Sequence, residues 1–131
     1  MGKGIEFLKE AKMYFLATCD NGQPQLRPFG SNMEYKGRFY FSMGRQKNVF
    51  KQIRANPKIS ISAIKSNNDW IRITGEAVLD EDEEIRAILF EQAPMIKEIY
   101  KDRLPEAAFF CLTKESCEII EGGKEAVKVE L

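Results

Sequence analysis

Histidine is absent from all 131 residues of this sequence. That absence excludes the Ser-His and Cys-His nucleophilic arrangements and removes the commonest general base. The three cysteines, Cys19, Cys111 and Cys117, form no C-x-x-C pair. With no histidine and no cysteine cluster, the sequence argues against a structural zinc site. If the chain is an enzyme, we expect chemistry other than side-chain acid and base catalysis to do the work.

The sequence also lacks an excess of charge and a long apolar run. Lys+Arg and Asp+Glu number 20 each, so no net positive field favours nucleic acid. No run approaches the roughly 20 apolar residues of a membrane span, and the first ten residues do not resemble a signal peptide. Dinucleotide and nucleoside-triphosphate loop motifs are missing. We therefore expect a cytoplasmic protein without nucleic-acid or membrane partners, folded as a single domain over residues 1–131.

The first third of the chain has the pattern of a helix followed by a β-hairpin. An amphipathic helix is predicted over residues 5–13 and an apolar strand over 14–18. Asp20-Asn21-Gly22 predicts the hairpin turn, because Asn-Gly readily adopts the positive φ angles of a type I′ turn. The return strand is expected to run over 23–35, with Pro28 marking an edge or a bulge because proline cannot donate to a β-ladder.

The second half of the chain alternates apolar and polar residues, as half-buried strands do. Strands are predicted over 58–65, 70–79, 107–120 and 127–131. The acidic run at 80–84 predicts the start of a helix that buries Ile85, Ile88 and Leu89. This helix is expected to be interrupted around Pro94 and to resume through Ile96, Ile99 and Tyr100. Six or seven antiparallel strands with three short helical segments favour a mainly β, closed or partly closed barrel.

The stretch RFYFSMGRQKNVFKQIRANP, residues 38–57, predicts a strand, a polar turn and a helix that begins near Gln46. The helix is expected to end before Pro57, because the residue before proline avoids helical dihedral angles. A helix N-terminus exposes unpaired N–H groups and suits a phosphate, to which Ser42 adds a hydroxyl and Lys47 a charge. Taken alone, the stretch fits an ordinary strand–turn–helix with a solvated lysine equally well.

Three segments in order, YFLATCDNGQPQLRPFG, FYFSMGRQKNVFKQIRANPKISIS and WIRITGEA, resemble the FMN-binding split-barrel superfamily. This superfamily includes pyridoxamine 5′-phosphate oxidase, and the closer likeness is to its short nitroimidazole-resistance (Nim-type) branch. The resemblance covers nearly the whole chain. It implies a six- to seven-stranded antiparallel split β-barrel, Greek-key-like in topology, that forms a homodimer with FMN in the clefts between the subunits.

The resemblance also implies which residues contact the cofactor. An arginine offers forked donors to a phosphate or a ring carbonyl, and a lysine at the helix start is a charge-assisted phosphate partner. The strand that begins at Trp70 often approaches the cofactor from the partner subunit in this superfamily. The implied contacts are Arg27, Pro28, Phe29, Gly30, Phe41, Ser42, Met43, Gln46, Lys47, Asn48, Trp70 and Arg72.

Several of these residues have a structural interpretation as well. Arg27 can be a surface cation on a strand, Trp70 can serve packing or dimer contact, and Arg72 fits a structural ion pair better than a ligand contact. Most of the phenylalanines are best interpreted as core or interface residues, and these are Phe15, Phe39, Phe41, Phe50, Phe109 and Phe110.

Departures from the family narrow the expected function. The C-terminus GGKEAVKVEL lacks the tryptophan and the arginine or histidine with which pyridoxamine 5′-phosphate oxidases bind the substrate phosphate, so that activity is not expected. Some Nim-type proteins carry a histidine near the flavin, and its absence here argues against nitroimidazole reduction itself. The expected function is an FMN-dependent oxidoreductase that passes electrons from NAD(P)H to a small organic acceptor such as a quinone or nitroaromatic. The flavin supplies the chemistry, and no catalytic side chain or metal is assigned.

Two alternatives from other classes stay open. The first is a flavin carrier or sensor without turnover. The second is a split-barrel protein that binds the deazaflavin F420 or haem in place of FMN. Haem has the weakest support, because no histidine can ligate the iron, although cysteine, tyrosine or methionine can.

Overall fold

The computed structural model describes residues 2–131 and contains eight strands and four α-helices there. The strands are β1 (Tyr14–Asp20), β2 (Gln23–Phe29), β3 (Met33–Tyr35), β4 (Arg38–Gly44), β5 (Lys58–Ile64), β6 (Trp70–Asp80), β7 (Ala107–Ile120) and β8 (Val127–Val129). The helices are α1 (Lys3–Ala11), α2 (Asn48–Ala55), α3 (Glu83–Gln92) and α4 (Pro94–Ile99), and a 3₁₀ turn spans Leu104–Glu106.

All strand pairs are antiparallel, in the order β2-β1-β5-β6-β7-β4-β3 with β8 beside β7. The predicted mainly β split barrel is confirmed. One strand more than predicted is present, because the stretch 23–35 breaks at residues 30–32 into two strands that lie at opposite ends of this order. Within residues 2–131, β2 pairs with β1 alone, so Pro28 lies on an edge strand, where its missing N–H costs no ladder hydrogen bond.

The core is largely aromatic. Phe41 is fully buried and stacks between Phe39 and Phe110, with ring centroids 6.0 and 5.9 Å away. A smaller cluster lies under α3, where Phe90 meets Phe109 edge to face at 4.9 Å. α2 buries Val49 and Ile53 against the main cluster, and this packing fixes where its N-terminus lies.

Two helix predictions need correction. α2 starts at Asn48 rather than near Gln46, because Lys47 is extended (φ −72°, ψ 149°) and occupies the N-cap position. The prediction that α3 buries Ile88 is wrong, since Ile88 is 41% exposed and Arg86 is buried instead. The Arg86 guanidinium donates to the carbonyl groups of Leu104 and Ala107, which satisfy it inside.

α1 begins and ends two residues earlier than predicted, at Lys3–Ala11 in place of 5–13, whereas the end of α2 and the start of α3 follow the prediction. α2 ends at Ala55, with Asn56 as its C-cap before the proline. The Asp82 carboxylate caps α3 by accepting a hydrogen bond from the Ile85 N–H at 3.0 Å. Within residues 2–131, none of the helices has the length and apolar character needed to cross a membrane.

Candidate functional site

The barrel is open along one seam beside β4. β3 pairs with β4 only as far as Tyr40, so residues 41–44 have no strand partner on that edge. The segment around Ser31 crosses the seam instead. Its carbonyl accepts from the Tyr14 hydroxyl at 2.7 Å, and its Oγ accepts from the Ser42 N–H at 3.0 Å. The seam is therefore held by side chains rather than by a β-ladder, and the end of β4 is left facing a cleft.

The backbone of Gly44 also faces the seam. Alternate residues of an antiparallel strand direct their N–H groups to the same edge. The Arg45 N–H donates to the Glu106 carbonyl on the β7 side, whereas that of Ser42 points to the seam, so the Gly44 N–H points to the seam as well. The Gly44 carbonyl accepts from the Lys47 N–H at 3.1 Å and closes the turn before α2.

The cleft at this seam has a volume of about 530 Å³, within the usual range of small-molecule sites. One wall comes from the end of β2 and the segment after it, a second from the end of β4 and the start of α2, and a third from α4. Its lining residues are Arg27, Pro28, Phe29, Gly30, Ser31, Ser42, Met43, Gly44, Lys47, Val49, Ile96, Ile99 and Tyr100.

One corner of the cleft collects hydrogen-bond donors and positive charge. The Ser42 Oγ is buried and has no hydrogen-bond partner among the residues described. Lys47 is the N-cap residue of α2, and its side chain makes no capping hydrogen bond to the helix. The first N–H groups of any helix have no acceptor within the helix, so those of α2 are available to a ligand. Such a corner suits an anion with several acceptor oxygens. We call Ser42, Gly44, Lys47 and Asn48 the candidate anion site.

Arg27 is not a solvated surface cation. Its guanidinium donates to the Leu16 carbonyl at 3.2 Å, to Thr18 Oγ1 at 2.9 Å and to Gln52 Oε1 at 2.7 Å. Burial lowers the pKa of this guanidinium from its ordinary value. Since a guanidinium carries five N–H donors, Arg27 ties β1 and β2 to α2 and still has donors left for a ligand.

The cleft brings together most of the residues that the sequence proposed as cofactor contacts. Arg27, Pro28, Phe29, Gly30, Ser42, Met43 and Lys47 all line it. The ring of Phe41 does not, because it is fully buried in the core, which leaves only its main chain available to a ligand. The interpretation of Phe41 as a core residue is confirmed.

Gln46 and Asn48 lie at the edge of the cleft rather than in its lining. Both side chains are exposed. The side chain of Gln46 folds back against Gly44, so that a Cβ added to Gly44 would lie 2.8 Å from Gln46 Oε1. Asn48 faces a second, more polar cleft of about 540 Å³ on the other side of α2, between that helix and the β1–β2 turn. Only the main chain of Asn48 belongs to the candidate anion site.

Trp70 and Arg72 do not line the cleft of their own chain. Arg72 Nε pairs with Glu118 Oε1 at 3.1 Å on the neighbouring β7, and its guanidinium lies over the Trp70 ring, 5.3 Å from the centroid. The ion-pair interpretation of Arg72 is therefore confirmed.

None of the residues in the α4 wall was among the cofactor contacts expected from the sequence. Ile96, Ile99 and Tyr100 line the cleft, yet α4 has only six residues and none of them is buried. The available signal was their i, i+3, i+4 spacing. In the structure Ile96 and Ile99 lie on α4, and Tyr100 follows as its C-cap residue.

Comparisons with known proteins agree with the fold. A family model described as pyridoxamine 5′-phosphate oxidase matches residues 4–119. Among solved structures, the chain is similar to a NimC/NimA family protein from Clostridium acetobutylicum. The two are 35% identical over 97% of this chain and 89% of that chain, with a TM-score of 0.90. No curated protein matches the sequence.

Two more distant neighbours show the fold alone. A Clostridium acetobutylicum protein related to general stress protein 26 is 16% identical over 97% of this chain and 96% of its own, with a TM-score of 0.74. A heme binding protein from Mycobacterium smegmatis is 15% identical over 95% of this chain and 55% of its own, with a TM-score of 0.77.

Proposed function

The chain belongs to the pyridoxamine 5′-phosphate oxidase family of split-barrel proteins, in its Nim-type branch, and on this premise we propose that it binds FMN in the cleft at the seam. The observation that carries the proposal is the buried, unpartnered Ser42 hydroxyl beside Lys47 and the open end of α2. These donors lie at one corner of a cleft whose other walls are largely apolar. FMN has the matching shape, with a phosphate at one end and a planar ring at the other.

Each part of the cofactor has residues suited to hold it. The phosphate would take the Ser42 hydroxyl, the Lys47 ammonium and the first N–H groups of α2. The ring would lie against apolar residues such as Phe29 and Met43. The remaining N–H donors of Arg27 suit the polar edge of the ring or the ribityl chain.

We further propose that the protein is a homodimer whose second copy covers the open side of the cleft. Pro28 lines the cleft, and β1 places Phe15 directly opposite it on the outer face of the sheet. Phe15, Leu26 and Ile64 are 48, 67 and 60% exposed and extend this apolar face away from the cleft. Exposed apolar patches beside a ligand site are typical of subunit interfaces. In such a dimer, Trp70 of β6 would approach the cleft of the partner subunit.

The proposed reaction is the reduction of a small organic acceptor, such as a quinone or nitroaromatic, with electrons from NAD(P)H in the cytoplasm. When bound, FMN supplies the hydride or electron transfer. The chain itself binds the cofactor, orients it and keeps water from its buried face. This division of roles fits a sequence without histidine.

Titration of the purified protein with FMN tests the binding. We expect a yellow complex with a perturbed flavin absorption band. The protein should be stabilised by about 2.7 kcal/mol when free FMN is at a hundred times its dissociation constant. If neither the spectral change nor the rise in melting temperature is seen, the protein does not bind FMN.

Anaerobic mixing of the FMN complex with NADH or NADPH tests the turnover. Loss of the oxidised flavin band, followed by its return on adding a quinone or nitroaromatic, supports the oxidoreductase. A complex that neither nucleotide reduces is a carrier or sensor instead. Parallel titrations with F420 and haem test the alternative cofactors. If either binds more tightly than FMN, that molecule and not FMN is the cofactor.

A further inference from the structure

Tyr100 is in the α4 wall and faces the candidate anion site. Its hydroxyl lies so close to Gly44 that a Cβ added to Gly44 would stand 2.8 Å from it. The Tyr14 and Tyr40 hydroxyls have acceptors at 2.7 and 2.8 Å. Among the described residues no acceptor is recorded for the hydroxyls of Tyr100 and Tyr35, and of these two only Tyr100 lines the cleft.

The ring of Tyr100 is held in place independently of its hydroxyl. The Arg103 guanidinium lies over the ring, 5.0 Å from the centroid. Loss of the hydroxyl would leave this contact and the shape of the wall unchanged. The ring is therefore positioned by packing, and the hydroxyl is left as a free donor directed at the end of β4.

α4 itself is weakly attached to the rest of the fold. It has six residues with none buried, and Met95 and Ile99 are 78 and 58% exposed. An element with few buried contacts opens locally at little free-energy cost. A ligand that bridges Tyr100 and Gly44 would therefore tie α4 to the barrel.

We propose that Tyr100 is a phosphate-binding residue, whose hydroxyl donates a hydrogen bond to the FMN phosphate in the candidate anion site. This inference rests on the proposed FMN binding and extends it to a residue outside the β4–α2 stretch. A phosphate oxygen is a charged acceptor, and hydrogen bonds to charged acceptors are stronger than neutral ones. The hydroxyl would complete the ring of donors formed by Ser42, Gly44 and Lys47, and would help the cleft to distinguish FMN from riboflavin.

The test is the variant Tyr100→Phe, titrated with FMN and with riboflavin. We expect FMN affinity to fall by about 10- to 100-fold, the usual effect of removing one hydrogen bond to a charged group, and riboflavin affinity to stay unchanged. The matched control is Tyr35→Phe, which also removes an unpartnered hydroxyl but lies outside the cleft. It should change neither affinity.

Hydrogen exchange gives a second readout that does not depend on activity. FMN should slow amide exchange over residues 95–101 more than riboflavin does, and the difference should disappear in Tyr100→Phe. If FMN and riboflavin protect these amides equally in the wild-type protein, the proposed link between the phosphate and α4 is wrong.

The outcomes separate this inference from the proposed function. If the wild-type protein prefers FMN and Tyr100→Phe keeps that preference in full, the role of Tyr100 is overturned and FMN binding stands. If the variant loses affinity for both flavins equally, the hydroxyl acts on the ring and the phosphate assignment is wrong. A wild-type protein that binds neither flavin overturns both proposals.

Discussion

Among single residues, Arg27 links the fold to the site most directly. Three of its N–H donors are used by the Leu16 carbonyl, Thr18 and Gln52, and Thr18 Oγ1 itself donates to Gln52 Oε1 at 2.6 Å. This network fixes α2 against the β1–β2 hairpin and so determines where Lys47 meets the seam. The sequence pointed to Arg27 but not to Gln52, because the pairing joins residues 25 positions apart and leaves no local pattern.

We expect Gln52→Leu to destabilise the protein. The change removes the acceptor shared by Arg27 and Thr18 and leaves partly buried donors unpaired, at a cost of about 1–3 kcal/mol in the free energy of unfolding. Urea unfolding measures this loss. Gln46→Leu is the control, since Gln46 is exposed and lies outside the network. Equal stability of the two variants would show that the network contributes nothing measurable.

Among the elements, β6 pairs with β7 across a bulge whose extra residue lies on β7. Its register with β7 shifts between Thr74 and Glu76, and Gly75 lies at the shift. A Cβ at Gly75 would stand 2.8 Å from the Thr113 carbonyl oxygen and 2.7 Å from Leu112 Cδ1. Bulges bend a strand and often need glycine where another backbone approaches closely. Gly75 therefore leaves room for β7 to approach β6 closely at the bulge.

Gly75→Ala should therefore unfold at lower denaturant concentration. The carbonyl oxygen belongs to the backbone of a paired strand and cannot swing away, so we expect a loss of roughly 1–3 kcal/mol. Thr74→Ala, at an exposed neighbouring position on the same strand, should change stability much less. Similar unfolding midpoints for the two variants would contradict the close packing at Gly75.

The elements also show how far the sequence could be followed. Period-two alternation and the Asn-Gly turn predict most of the strands, and the predicted strand over 107–120 matches β7 at both ends. The break of the strand 23–35 was not predictable from local pattern. The groups that hold it, Tyr14 and Ser42, bond to Ser31 from other strands.

The error in α3 has a similar cause. An apolar Ile88 looks more suited to the core than Arg86. The inward turn of Arg86 becomes favourable only because the carbonyl groups of Leu104 and Ala107 are there to accept its N–H groups. Those carbonyl groups lie outside α3, so the apolar pattern of the helix gives no sign of them. The candidate site was predictable where it follows the family motifs, and it was missed where α4 completes the wall.

In the whole molecule, the exposed apolar face on β1, β2 and β5 is the surface on which the proposed dimer depends. Leu26→Asp places a charge in the middle of that face, where Leu26 is opposite Ala17 on β1. We expect the variant to be monomeric at micromolar concentration by light scattering, while the wild-type protein is dimeric.

Ile88→Asp is the control for this change. Ile88 is also an exposed apolar residue, but it lies on α3, whose Gln92 bonds to Glu34 of β3 at the far end of the strand order from β2. This variant should remain dimeric. A wild-type monomer, or a Leu26→Asp variant that dimerises as the wild-type protein does, would contradict the proposed interface.

The central claim is that the cleft holds FMN by its phosphate, and calorimetric titration with FMN and riboflavin tests it most directly. We expect wild-type protein to bind FMN about 100-fold more tightly than riboflavin, and Lys47→Ala to lose most of that preference while riboflavin affinity stays the same. Lys51→Ala, one turn further along α2 and facing the other cleft, should keep the preference in full. Equal affinities of the wild-type protein for FMN and riboflavin, or equal losses for both in Lys47→Ala, would contradict the account.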